Sequence, residues 1–241
     1  MPLPVPQPPP PDPPSDRIIV ALDLPDFASA LAMVDRLEGS VRWFKVGLEL
    51  YLAEGRRVVE AVRSRGFSVF LDLKLHDIPN QVASAVRSAA ATGAQMLTVH
   101  AAGGPAMLAG AAEAATSLAS PPKLLAVTVL TSLDEAQLHA IGVPGSPADQ
   151  VLRLATMAYR AGIRGFVSSA EEVAALRSEF ADATLVTPGI RPSGADPGDQ
   201  KRIATPAVAL AAGSDYLVVG RPITQAVDPA AAVREILREI G

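Results

Sequence analysis

The chain has 241 residues, 49 % of them apolar and 4 % aromatic, a formal net charge of −4 and no cysteine. That length allows one large domain or two small ones, and the acidic balance supplies no basic footprint for nucleic acid. Without cysteine there is no disulfide, thiolate metal site or thiol nucleophile, which fits a cytoplasmic setting, and no apolar run is long enough to span a membrane. Residues 1–16 are dominated by proline and lack the basic start and apolar stretch of a signal peptide. Such a segment favours extended backbone and builds no core, so a disordered, passive tail is expected there, followed by a single domain over 17–241.

From Arg17 onward a short apolar strand, a turn and a helix recur. Strands are expected at 18–24, 43–47, 70–75, 96–100, 124–130, 165–168, 184–188 and 216–219. Helices are expected at 26–37, from the end of the second strand to about 65, at 78–92, after Gly103-Gly104-Pro105, twice within 134–161, at 171–180 and at 229–240. The apolar mass is Ala, Val and Leu, as in a parallel sheet covered on both sides. Eight strand–helix units in about 225 residues predict a closed α/β barrel of the (β/α)8 TIM type. An open doubly wound sheet is the alternative. It usually shows a glycine-rich loop after its first strand, where this chain has Asp23-Leu24-Pro25-Asp26.

The stretch from Phe70 to Asn80 carries most of the chemistry. Read as a strand, it puts Leu71, Leu73 and Leu75 on one face and Phe70, Asp72 and Lys74 on the other. Asp77 follows, and Ile78-Pro79 opens a helix with proline in the first turn. Buried charges are costly unless paired, so Asp72 with Lys74 is either a structural ion pair or working machinery. In a barrel the working end is the C-terminal end of the strands. Polar groups expected there are Asp23, Lys45, Asp72, Lys74, Asp77, His100, Thr128, Thr131 and Ser132. His100 taken alone reads as a core histidine, and His76 and His139 read as surface groups.

Asp23, Lys45, Asp72 and Lys74 would form a ring of alternating charge across three neighbouring strands. Opposite neighbours favour the charged form of each. A protonated lysine is a poor Schiff-base nucleophile, but a good proton donor and a good stabiliser of a carbanion. Past the seventh and eighth strands, Arg191, Gln200, Gly220 and Arg221 suggest a phosphate cradle, with Gly220 letting backbone N–H groups approach an anion. A phosphorylated substrate is expected, its reacting end over the charge ring.

These residues resemble one family. Asp-x-Lys-x-x-Asp at 72–77 continuing as Ile78-Pro79-Asn80, Ala-Leu-Asp at 21–23, Lys-Val-Gly at 45–47, Val-Leu-Thr-Ser at 129–132, Pro-Gly-Ile-Arg at 188–191, Asp-Gln-Lys-Arg at 199–202 and Val-Gly-Arg-Pro-Ile at 219–223 look like the orotidine 5′-phosphate decarboxylase family. The resemblance runs from about residue 18 to 235. It implies cofactor-free loss of CO2 from C6 of orotidine 5′-phosphate, giving UMP in pyrimidine biosynthesis, by a homodimer that shares its sites. It implies that Lys74 protonates C6, that Asp72 sits beside the departing carboxylate, and that Lys45 and Asp23 contact ribose. It gives Asp77 and Ile78 to the neighbouring subunit's site, Thr131 to the pyrimidine, and Arg191, Gln200, Gly220 and Arg221 to phosphate. One departure is Gln81, where the family usually has threonine.

Two rival readings stand beside it. One is a magnesium-dependent sugar-phosphate decarboxylase such as 3-keto-L-gulonate 6-phosphate decarboxylase, which takes a metal-binding acid from the second strand. Lys45 occupies that position here, with Glu49 four residues on. The other is a non-catalytic nucleotide-binding barrel, which would have no need of a buried Asp72–Lys74 pair.

Overall fold

A computed structural model describes residues 13–192 and 202–241 of the protein. Eight parallel strands close into a barrel in chain order: β1 (Ile18–Ala21), β2 (Trp43–Val46), β3 (Ser68–Leu75), β4 (Met96–His100), β5 (Lys123–Val127), β6 (Gly165–Val167), β7 (Thr184–Thr187) and β8 (Tyr216–Val219). β1 pairs with both β2 and β8, so no sheet edge is left open. Around it lie α1 (Phe27–Arg36), α2 (Leu48–Glu54), α3 (Arg56–Ser64), α4 (Pro79–Ala90), α5 (Gly104–Thr116), α6 (Glu135–Ala140), α7 (Pro147–Arg160), α8 (Ala170–Glu179), α9 (Pro206–Ala211), α10 (Arg221–Thr224) and α11 (Pro229–Glu239). The expected (β/α)8 barrel is therefore the observed one. Among the described residues no helix is long and apolar enough to cross a membrane.

Period-two alternation explains the two cores. On β1, Ile18 and Val20 face the helices, and Ile19 and Ala21 face the barrel axis. Phe70, Met96, Leu125, Val186 and Val218 join the axial cluster, with Trp43 and Tyr216 packed against it. Two residues further along the same inward rows, the side chains turn polar: Asp23 after Ala21, Lys45 after Trp43, Asp72 after Phe70, and Thr98 after Met96. The apolar plug thus ends where the charged layer begins.

Helix starts follow from local chemistry. The side chains of Asp26, Asp134, Ser146, Thr205 and Asp228 each accept a hydrogen bond from a first-turn amide of the helix that follows. Pro79 opens α4 as expected, with Ile78 at its N-cap. α4 and α5 lie side by side, and Gly110 of α5 is close to the Pro79 carbonyl.

Four details differ from the sequence reading. The single helix expected after β2 is two, broken at Gly55, whose φ of 61° and ψ of −150° suit glycine alone. β5 stops at Val127, the last residue paired with β6, and the Thr128 hydroxyl turns back to donate to the Val167 carbonyl at 3.0 Å. The tail expected over 1–16 is ordered at its end. Pro14–Arg17 form a 3-10 turn, closed by the Asp16 amide on the Pro13 carbonyl and tied down by Arg42 on the Asp16 carboxylate at 3.1 Å. Residues 1–12 lie outside the described residues. The short α9 and α10 were not anticipated, since six and four residues carry too little periodicity to read.

Candidate active site

The four charges expected to form a ring lie together at the C-terminal mouth of the barrel, paired as the row Asp23–Lys45–Asp72–Lys74. Lys45 reaches from β2 to Asp23, with Nζ 3.0 Å from Oδ1, and stands 3.7 Å from Oδ2 of Asp72 on β3. Lys74 ends this alternating row, its Nζ lying 3.0 and 2.9 Å from the two Asp72 oxygens. Exposure grades across the four. The side chains of Lys45 and Asp72 are 10 % and 13 % exposed, Lys74 is 33 % exposed and Asp23 is 59 % exposed. Lys45 thus lies mostly enclosed between two carboxylates, while Lys74 is more open to whatever enters the mouth.

Burial pushes the Asp72 carboxyl up, but the Lys45 and Lys74 ammonium groups and hydrogen bonds from Lys74 and Thr98 outweigh it. The net result holds Asp72 below the ordinary carboxylate range, as an anion.

Lys74 reaches this position through an irregular backbone. Leu71 pairs with Leu97 and Leu75 with Val99, so β3 makes four steps where β4 makes two. The surplus forms a bulge, and Lys74 takes φ 50° there, the one positive φ outside glycine among the described residues. Such a backbone costs a lysine on the order of 1–2 kcal/mol. Strain of this kind at a charged, inward-facing residue points to use.

Gly47 lies over the ring. A Cβ placed there would stand 2.8 Å from Lys45 Nζ and 3.1 Å from Asp23 Oδ1. Its φ of −94° is open to any residue, so glycine is required by the closeness of the ion pair. Neither Gly47 nor Thr98 was read from sequence as a site residue. Thr98 could have been, since it sits two residues after Met96 on the inward face of β4.

The remaining expected residues fall into three groups. Asp77 is not in the ring. It is exposed, accepts a 2.6 Å hydrogen bond from the Ile78 amide, and lines an open hollow of about 550 Å³ with His76, Ile78, Pro79, Ala102 and Gly103. Ile78 is 66 % exposed at its rim. His100 is half-buried at the end of β4, accepts from the Ala102 amide, and stacks on His76 with ring centroids 5.2 Å apart. Burial, His76 and Lys74 together hold the His100 pKa below its usual value, so it is neutral. His139 is exposed on α6, and Gln81 sits in the exposed first turn of α4. Thr131 follows β5 and is half-buried, with Ser132 exposed beside it.

On the phosphate side, Arg191 is buried and its amide donates to the Ala204 carbonyl at 2.9 Å. Arg221 begins α10, with Gly220 at the N-cap. A Cβ on Gly220 would lie 3.8 Å from Asp23 Oδ2, which places this turn against the charge ring. Gln200 lies outside the described residues. Arg202, not singled out from sequence as a site residue, is buried. It pairs with Glu172 of α8 and donates to the Leu130 carbonyl at 3.1 Å. Glu172 also accepts from Ser169. This ties the end of the Arg191 segment to the turn that carries Thr131.

Glu49 is exposed in the first turn of α2, away from the row that presents Lys45. Among the described residues no three His, Cys, Asp or Glu side chains converge as a metal site. The Lys45 ammonium occupies the space between Asp23 and Asp72.

Comparison with known proteins identifies the family of the chain. Residues 16–236 match the model of the orotidine 5′-phosphate decarboxylase / HUMPS family. An orotidine 5′-phosphate decarboxylase of Halorhodospira halophila is 53 % identical over 226 residues, covering 93 % of this chain and 96 % of that protein. One from Pseudomonas aeruginosa is 50 % identical over 225 residues, covering 93 % and 97 %. The crystal structure of orotidine 5′-phosphate decarboxylase from Lactobacillus acidophilus superposes with a TM-score of 0.83 at 39 % identity, covering 94 % of this chain and 99 % of that one. With the family model spanning nearly the whole barrel and relatives at half identity over nearly their full length, the chain belongs to the orotidine 5′-phosphate decarboxylase / HUMPS family.

Proposed function

We propose that the protein converts orotidine 5′-phosphate to UMP and CO2 in pyrimidine biosynthesis, with Lys74 as the proton donor. The bond from C6 to the carboxylate breaks, the electron pair stays on C6, and a proton from Lys74 Nζ takes the place of CO2. The observation that carries this reading is the Lys74 ammonium, held on both oxygens of a buried Asp72 and open on its other side. Asp72 stands beside the departing carboxylate, Lys45 and Asp23 hold ribose, Thr131 meets the pyrimidine, and Arg191, Gln200, Gly220 and Arg221 grip phosphate.

Magnitudes show why so many groups take part. One charge pair near 4 Å contributes about 4 kcal/mol at an effective dielectric of ~20. Enzymatic accelerations need up to roughly 23 kcal/mol. Lys74 therefore supplies one share, and binding of phosphate and ribose, used to orient the base and exclude water, supplies the rest.

The working unit we propose is a homodimer in which Asp77 and Ile78 complete the neighbouring copy's site. The exposed Ile78 beside an open hollow at the barrel mouth favours that reading.

The test is the loss of orotidine 5′-phosphate absorbance on adding purified protein with EDTA present. Rapid conversion to UMP is expected. Lys74→Ala should lose nearly all turnover while keeping most of its affinity for UMP. Turnover surviving in that variant would remove Lys74 from the proton-donor role.

A further inference from the structure

We propose that Thr98 is the positioning residue of the Asp72–Lys74 pair, its one hydroxyl holding the β3 bulge that aims Lys74 into the barrel mouth. The proposal rests on the roles given above to Asp72 and Lys74.

The bulge creates a specific problem. Extra chain between Leu71 and Leu75 pulls the Lys74 amide out of the regular ladder with β4, and a buried amide without a partner is costly. Thr98 stands opposite the bulge, between the two β4 residues that remain in register, and is fully buried. Its Oγ1 lies 2.8 Å from the Lys74 nitrogen and 3.0 Å from Asp72 Oδ1.

Chemistry fixes the direction of both bonds. The amide can only donate, so the hydroxyl accepts from it. The ionised carboxylate can only accept, so the hydroxyl gives it its single proton. One side chain therefore satisfies the strained backbone of Lys74 and orients the carboxylate that Lys74 grips. Loss of this hydroxyl frees both at once, with the substrate-binding groups on other strands untouched.

The experiment compares Thr98→Val, which keeps the shape without the hydroxyl, with Thr98→Ser, which keeps the hydroxyl. For Thr98→Val we expect kcat for orotidine 5′-phosphate to fall roughly 10- to 100-fold, with KM and UMP affinity within about twofold of wild type. Thr98→Ser should recover kcat to within about threefold of wild type. The second readout is independent of turnover. Hydrogen exchange at the Lys74 amide should quicken about tenfold or more in Thr98→Val and stay near the wild-type rate in Thr98→Ser. Should Thr98→Val fail to fold, Thr98→Cys, a weaker donor and acceptor, should lower kcat and quicken exchange in the same sense. Wild-type kcat with wild-type amide protection in the valine variant would overturn the assignment, as would a rise in KM at constant kcat. A wild-type protein with no turnover would sink the decarboxylase reading instead, and the exchange rates would still decide the place of Thr98.

Discussion

Gly47→Ala is a sharp test of the ring's geometry. The new methyl would stand 2.8 Å from Lys45 Nζ, and ordinary contact begins near 3.4 Å. The ammonium must therefore withdraw by about 0.6 Å, which a flexible lysine can do without clash, but only by stretching its ion pairs. Moving Nζ from 3.0 Å to about 3.6 Å from Asp23 costs ~1 kcal/mol at an effective dielectric of ~20. Asp23 is more than half exposed, so water screens part of that loss. The bond to the enclosed Asp72 is screened less, and any stretch there adds to it. A total near 1 kcal/mol corresponds to about a fivefold drop in kcat/KM. The assay is steady-state decarboxylation of orotidine 5′-phosphate, with a thermal melt confirming an intact barrel. Because the backbone at Gly47 suits alanine, little stability should be lost. A variant with wild-type kcat/KM would show that Lys45 does not work from the position between Asp23 and Asp72. A variant that simply unfolds would show that Gly47 serves the backbone.

Two further predictions concern stability. Gly165→Ala would set a methyl 2.8 Å from the Leu124 carbonyl and against the Leu125 side chain inside the barrel, so it should destabilise by about 1–3 kcal/mol, read as a lower urea midpoint at unchanged slope. His100 has its folded pKa below its ordinary value near 6.5, so as pH falls the unfolded chain takes up the proton first and stability drops from about pH 7 downward, with no effect above. His100→Gln should lose less Tm than wild type between about pH 7.5 and 5, and equal losses in the two proteins would show that His100 is not held neutral.

Much of this was legible from residue periodicity. Asp23, Lys45 and Asp72 each stand two residues beyond an inward apolar side chain, so the charged layer could be written down before any coordinates. The position of Lys74 was reached for an incomplete reason. A regular strand would also put it on the face of Asp72, but the observed contact depends on a bulge and a positive φ that no residue type in β3 announces. Gly55 breaks a helix that the apolar pattern carries straight through, because pattern reports burial and not the path of the backbone. The partnership of Arg202 with Glu172 joins positions 30 residues apart, and no local spacing encodes such a pair. Tail residues 14–16 form a 3-10 turn in which Asp16 meets the distant Arg42, a contact that proline content alone cannot reveal.

The ring's asymmetry bears on how the proposed reaction proceeds. In that proposal, the substrate carboxylate brings a second negative charge near Asp72 before reaction. As CO2 leaves, charge moves from that carboxylate onto C6, away from Asp72 and toward the ammonium. With substrate placed as proposed, the Asp72–Lys74 pair is a dipole lying along that displacement, and its interaction energy with the substrate would fall as the transition state forms. In water such a dipole would have to reorganise. Here Lys45 and Thr98 hold the carboxylate in place, and the bulge holds the lysine. Lys45 is a poorer candidate than Lys74 for meeting C6, because its ammonium already lies between two carboxylates and only a tenth of its side chain is exposed, against a third for Lys74. The two lysines therefore divide the task. In the proposed reaction the more enclosed one keeps Asp72 ionised and still, and the half-open one is the proton donor to C6.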